Sequence, residues 1–303
     1  MEPPVGPSDL ALPAPRQILA DLLPQLRLAG AYACEIQSRI VSQPSKDADN
    51  FFGAALSDAD LSVQTFVEVA LLGLYPQVRF FGEEHEKSYN TKYFRSIELG
   101  PPGDYLVTLD PIDGTRFYLD GHSNFQIILT VLGWDGFEAA IALTPAQNRY
   151  YYALRGEGAF VGELTDSLEA CTPLQLDTLS VPRNAVFLGF DMAPMADLLC
   201  DRYEVISISR DYSPTAPIPS VNGVLSGELV GVVLAKGNFI DGAALAFIAQ
   251  EMGFIVSGLD GAPLPPPHTC PDYRLPGLVI AASEAIQRDL LQAAQAAGIT
   301  QKS

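Results

Sequence analysis

The chain has 303 residues, 48% of them apolar and 9% aromatic, which excludes a disordered or fibrous protein and suffices for one large domain or two ordinary lobes. Lys and Arg number 18 against 36 Asp and Glu, a net charge of −18. That balance argues against a nucleic-acid-binding face and against docking on an anionic membrane, since both need exposed cations.

The first fifteen residues are rich in Pro and read as a loose arm without a signal peptide. No apolar run reaches the roughly 18 residues of a membrane span. Apolar residues at helical spacing (Ile18, Leu22, Leu26, Ala29, Ala33, Ile36, Ile40) predict a helix over 16–41, which Pro24 should kink or delay. A second helix is predicted from Asp58 or Asp60 to Tyr75, with Asp58 as N-cap and Phe66, Val67, Ala70, Leu71 and Leu74 on one face. Short branched and aromatic runs at 78–81, 105–109, 125–132, 137–143, 149–154 and 156–161 read as an antiparallel set of strands. A polar stretch over 162–183 divides the chain into an N-terminal lobe, 1–175, and a C-terminal α/β lobe, 176–303. There, strands are predicted at 186–190, 203–208 and 278–282, with a helix over 242–253. A last helix is capped by Ser283, ended by Gly298, and turns Ile286, Leu290, Leu291 and Ala294 inward. The Pro-rich 263–271 stretch reads as an extended surface loop. Cys34, Cys171, Cys200 and Cys270 show no metal-ligand spacing and read as buried small hydrophobes of a reducing, cytoplasmic compartment.

The most informative segment is LVTLDPIDGT, 106–115. An apolar strand delivers Asp110 and Asp113, with Pro111 and Ile112 turning the chain between them. Two converging carboxylates repel unless a cation sits between them, and an all-oxygen donor set points to Mg²⁺. Gly114 lets the backbone approach a ligand closely. Asp, Pro and Gly are equally the residues of an ordinary turn, so spacing alone leaves both readings open. A second apolar strand ends in Gly82, Glu83 and Glu84. Asp241 precedes a helix and reads as its cap, a role compatible with ligation. Asp58 and Asp60 compete at the head of the second helix.

These residues resemble the inositol monophosphatase-like family of metal-dependent, often lithium-sensitive phosphatases. The resemblance rests on Asp110–Thr115, on Gly82–Glu84, on the hairpin Gly156–Phe160, and on Ile240–Ala244 followed by Glu251 and Gly253. It runs from about residue 46 to about 264. It implies a layered α-β-α-β-α sandwich of the inositol monophosphatase/fructose-1,6-bisphosphatase type, with the metal site between lobes. It implies two or three Mg²⁺ ions: one on Glu83, Asp110 and the Ile112 carbonyl, a second on Asp110, Asp113 and Asp241, and a weaker third near Glu83. Asp113, Gly114 and Thr115 would bind the phosphate. Thr115 and Asp60, chosen over Asp58 by the family's spacing to Glu83, would activate the attacking water, with Glu83 also in the catalytic set. The implied activity is hydrolysis of a small phosphorylated metabolite, inositol monophosphate or a related sugar or polyol phosphate, by metal-activated water. The alternatives are a 3′(2′),5′-bisphosphate nucleotidase, a sugar bisphosphatase, or a non-catalytic phosphometabolite-binding protein. The family also implies a homodimer.

The pattern is not complete. Ile240 stands where the family has Trp. The stretch 211–231, with three prolines, lacks the family's Gly-Ser helix start. Seven residues before Asp241 stands Leu234, not an acid; Lys236 reads as a solvated neighbour. Lys46 is a loose match to a family Lys, and His85 reads as a solvated neighbour of the Glu pair. The metal centre reads as intact and the leaving-group pocket as divergent.

Overall fold

The computed structural model describes residues 12–40, 57–84, 99–179, 183–270 and 274–299; Lys46 and His85 lie outside them. Helix α1 (Pro15–Ile36) begins with a Pro in its first turn, where an N–H has no partner anyway. It neither breaks nor starts late at Pro24, which lies on its exposed side, where a carbonyl left without a donor is open to solvent. Leu19, Leu22, Leu23 and Leu26 anchor its other side. Fully burying such a side chain is worth about 1.5–3 kcal/mol, enough to hold a helix through one Pro.

Helix α2 (Asp58–Leu74) is capped by Ser57 rather than by Asp58. Its buried row is Ala59, Val63, Val67 and Leu71, four residues apart. Phe66 and Leu74, expected inward, are rotated off that row and stand 43% and 45% exposed.

The next strands are β1 (Arg79–Gly82) and β2 (Leu106–Asp113), separated from β3 (Gln126–Leu132) by the short helix α3 (Thr115–Leu119). Then come β4 (Phe137–Thr144), β5 (Arg149–Leu154), β6 (Gly158–Glu163) and β7 (Thr172–Leu174). They form one seven-stranded sheet in chain order. The set is not wholly antiparallel: β1 runs parallel to β2, which a long connection such as 83–105 permits and a hairpin does not. Every residue of β3 is buried. Ile127, Leu129 and Val131 face α1 and α2, while Ile128 and Leu132 face the opposite core. Cover on both faces explains why this strand reads as a continuous apolar run rather than an alternating one.

The second half supplies β8 (Ala185–Leu188), α4 (Ala196–Leu199), β9 (Glu204–Ser207), α5 (Ile208–Asp211), α6 (Gly223–Ser226) and β10 (Gly231–Leu234). After β11 (Gly237–Asn238), α7 (Gly242–Met252) ends at Gly253 in the left-handed region. The chain closes with β12 (Ile255–Ser257), β13 (Arg274–Leu275), β14 (Leu278–Ala281) and α8 (Glu284–Ala296), capped by Ser283. The second sheet has the order β12-β14-β10-β8-β9, and β11 pairs with β13 in a two-stranded ribbon.

Helix α7 is apolar on every side because it lies between the sheets, against β4, β5 and β6 and against β12 and β14. Helices α4 and α8 cover the outer face of the second sheet. In α8 the buried positions are Leu290, Ala293 and Ala294, with Ile286 and Leu291 packed at the edge. The layers are therefore helix, sheet, helix, sheet, helix, an α/β sandwich of mixed sheets.

Two further expectations need correction. The 263–270 stretch is not wholly a surface loop: Pro267 is buried, and the His268 ring stacks on Trp134 with centroids 4.6 Å apart. That contact gives the Pro-rich stretch an apolar partner. None of the free cysteines is fully buried, and Cys200, just beyond α4, is exposed. Among the described residues no helix is long and apolar enough to cross a membrane.

Candidate active site

The site is built around the end of β2. Asp110 is 3% exposed and still within the ladder, paired with Ile128 of β3. The strand does not turn off at Pro111 and Ile112: it continues to Asp113 through a register shift, which brings Asp113 opposite Gln126. The Ile112 N–H donates to Asp110 Oδ1 at 3.1 Å, and Gln126 Nε2 donates to Asp113 Oδ2 at 2.6 Å. Gly114 has φ 83° and precedes the first turn of α3, a conformation that a residue with a Cβ rarely adopts. No side chain caps that turn.

Thr115 opens α3 and is buried. Its Oγ1 lies 3.0 Å from Asp60 Oδ1 and 3.0 Å from the Ile112 carbonyl, so its single proton is shared between two acceptors. Asp60 is fully buried, whereas Asp58 is exposed, which separates the two candidates. The other oxygen of Asp60 accepts the Ser57 N–H at 2.8 Å and the Ser57 hydroxyl, a reciprocal capping box. The same box that starts α2 thus orients the acid.

Glu83 extends the parallel pairing by one residue, its N–H donating to the Leu109 carbonyl at 3.1 Å. That places it beside Asp110, with its side chain exposed and that of Glu84 buried. Gln64, one turn beyond Asp60, accepts the Glu84 N–H at 2.9 Å. A Cβ at Gly82 would fall 2.3 Å from the Gln64 amide carbon, so position 82 has room for glycine alone unless Gln64 moves. Asp241 caps α7, accepting the Gly242 N–H, and its Oδ2 accepts from Asn238 Nδ2 at 2.9 Å.

Electrostatics tie these acids into one group. Burial pushes Asp110 well above the usual carboxylate range, and Glu83, Asp113, Asp241 and Glu84 push it further. Asp113 is raised to about 7 by burial and by Asp241, against the opposing hydrogen bond from Gln126. Asp60 is raised to about 6 by burial and by Glu83, against its bonds from Ser57 and Thr115. Asp241 is raised to about 6 by burial and by Glu83, against its bonds from Asn238 and Gly242. Crowded acids that raise one another's proton affinity, with oxygens as the only donors, suit a hard divalent cation. Among the described residues, no three of them close on one point as they stand.

Residues 27–298 match the family model of the inositol monophosphatase family. The chain belongs to that family. Relatives of the family include a putative Nus factor SuhB of Neisseria meningitidis, 26% identical over 69% of this chain and 76% of that protein. A histidinol-phosphatase of Streptomyces coelicolor is 25% identical over 69% of this chain and 76% of that protein. The inositol monophosphatase (IMPase) fold is also that of the Thermotoga maritima IMPase, with a TM-score of 0.66 at 18% identity over 91% of this chain and 96% of that one.

In this inositol monophosphatase-family chain, the divergent 211–222 stretch is a wall fastened to α3 and to the loop that follows it. Tyr212 stacks edge-on against Phe117 at 5.3 Å, and its hydroxyl donates to Asp120. Asp120 also holds Arg116 through two bonds of 2.9 and 3.0 Å. Asn124 Nδ2 donates to the Ile218 carbonyl at 2.8 Å, and His122 Nε2 lies 3.2 Å from the Ser213 carbonyl. A short α6 does follow at Gly223, after Asn222 rather than a Gly-Ser start. Leu234 is the last residue of β10, and Lys236 lies exposed beyond it.

Four polar residues at the site are absent from the candidates read in the sequence. Ser57 was legible, since Ser-x-x-Asp is capping-box spacing. Asn238, three residues before Asp241, carries a weaker local signal. Gln64 and Gln126 carry none, because strand pairing and helix docking bring them to their partners.

Proposed function

We propose that this chain is a Mg²⁺-dependent phosphomonoesterase acting on a small phosphorylated metabolite, with a polyol or sugar phosphate such as inositol monophosphate as the first candidate. The observation that carries the reading is the buried Thr115–Asp60 hydrogen bond set beside the mutually repelling acids Asp110, Asp113 and Asp241. Glu83, Asp110 and the Ile112 carbonyl would hold one ion, and Asp110, Asp113 and Asp241 a second, with a third near Glu83. When bound, the ions neutralise phosphate charge and acidify water.

The rest falls to the chain. The N–H groups of Gly114 and Thr115, in a first turn that no side chain caps, donate to the phosphate oxygens, and Asp113 would act on them only through the ion it would hold. Thr115 Oγ1 accepts a hydrogen bond from the attacking water while donating its own proton to Asp60 Oδ1. Asp60 is fixed at its other oxygen by Ser57, so it receives the water's proton through Thr115 without reorienting. Low exposure around Thr115 and Asp60 keeps competing water away from that relay.

A second reading is a protein of this fold that binds a phosphorylated metabolite without turning it over. The segment 211–222, divergent from the family in sequence and fastened by Tyr212, His122 and Asn124 to the chain just after Thr115, motivates it. Phosphate release from inositol 1-phosphate, histidinol phosphate, fructose 1,6-bisphosphate and adenosine 3′,5′-bisphosphate, with Mg²⁺ and with EDTA, separates the readings. Mg²⁺-dependent release from one of them supports the phosphatase. Binding of one without release from any supports the second reading.

A further inference from the structure

We propose that two neutral amides, Gln126 and Asn238, are positioning residues that set the carboxylates of Asp113 and Asp241 for a divalent cation; this rests on the metal-dependent reading above. Gln126 opens β3 and is 0% exposed, a costly place for an amide. Its Nε2 donates to Asp113 Oδ2 at 2.6 Å. Its Oε1 is buried and has no hydrogen-bond partner among the described residues. Packing alone would be served by a Leu or Met of similar volume. The amide N–H of Gln126 is accounted for by Asp113.

Asn238 repeats the device from a different element. It sits in the β11–β13 ribbon, paired with Arg274. Its Nδ2 donates to Asp241 Oδ2 at 2.9 Å, while its backbone carbonyl accepts the Asp241 N–H at 3.3 Å. Asp241 is therefore held at its backbone and its carboxylate by one residue.

A neutral donor suits this task. A Lys or Arg in either place would bring its own charge and compete with the cation. An amide N–H fixes the rotamer of the acid and leaves its negative charge in place. Each carboxylate oxygen accepts more than one bond, so an oxygen that takes an amide N–H still has a lone pair for an ion. Bonds of this kind to metal-binding side chains act by preorganisation, and their loss typically weakens metal binding about 10–100-fold.

The test is Mg²⁺ titration by calorimetry of the full chain, wild type against Gln126→Met and Asn238→Ala, with thermal unfolding in EDTA as the measure of folding. Each variant should bind Mg²⁺ about 10-fold more weakly while remaining folded. In phosphate release, the Mg²⁺ concentration for half-maximal rate should rise by a similar factor, with kcat recovered at saturating Mg²⁺. A merely structural role would lower the unfolding temperature in EDTA and leave the Mg²⁺ affinity of the folded protein unchanged, and that result overturns the proposal. Asn238 is only partly buried, so Asn238→Ala decides the matter if Gln126→Met does not fold. A wild-type protein that binds no Mg²⁺ overturns this inference and the metal-dependent reading together. Wild-type binding with unchanged variants overturns this inference alone.

Discussion

The end of β2 and the wall at 211–222 flank the short helix α3 and are built in opposite ways. From Asp110 to Thr115 the chemistry lies in six consecutive residues, held by a strand buried on both faces and by bonds that span two or three positions. The wall is fixed by contacts from distant residues: Tyr212 to Asp120, Asn124 to the Ile218 carbonyl, and His122 beside the Ser213 carbonyl. A change in the first region therefore acts on the reacting groups directly. A change in the second alters the shape of a neighbouring surface and leaves the acids where they are.

The largest expected effect probes the first region. Asp110→Asn should lower phosphate release by at least about 10³-fold, because one residue serves both proposed ions and the barrier rises by roughly 4 kcal/mol for that factor. The same variant should unfold at a higher temperature than wild type in EDTA, since it replaces a buried acid whose ionisation burial and four neighbouring acids oppose. Retained turnover would break the contrast between the two regions. Asp60→Asn comes next: a loss of about 10²–10⁴ in kcat is expected for a proton acceptor, with Mg²⁺ affinity close to wild type by titration. A large loss of Mg²⁺ binding in that variant would move Asp60 from proton transfer to ligation.

A smaller effect is expected from pH in the absence of metal. Asp60 and Asp241 are raised to about 6 and Asp113 to about 7, so the folded state binds their protons more tightly than the unfolded chain. Their destabilisation is absent below the ordinary Asp range and is complete once pH passes the raised values. The unfolding temperature in EDTA should therefore fall between about pH 4 and pH 7.5, and the slope should flatten in Asp113→Asn. An equal slope in that variant would assign the pH dependence to other acids. The smallest change belongs to the wall. Tyr212→Phe removes one hydrogen bond and keeps the ring against Phe117. It should shift KM by a few-fold, about the worth of one net hydrogen bond, with kcat and Mg²⁺ affinity unchanged. A kcat effect instead would mean that the wall takes part in aligning the reacting groups.

How much was legible follows the same division. The apolar runs of β3 to β6, the Asp241 cap and the Gly253 stop were readable because each depends on neighbours in the chain. Phe66 and Leu74 were misplaced because an apolar face can be drawn through 66, 70 and 74 as well as through 59, 63, 67 and 71; contact with α1 and the sheet decides between them. The delay expected at Pro24 does not occur, because the cost of a Pro depends on whether the freed carbonyl meets water or core.

By itself the sequence determined the acidic balance, the run of elements, and the local grammar of Asp110–Thr115, all of which rest on composition and short-range backbone preferences. Tertiary structure decided the parallel pairing of β1 with β2, the burial of Asp60 against the exposure of Asp58, and the placing of Gln126 on Asp113. The physical reason is that register and burial are set by which surfaces meet. A hydrogen bond between residues 55 positions apart, as from Thr115 to Asp60, has no trace in either local segment until the sheet and helix have packed.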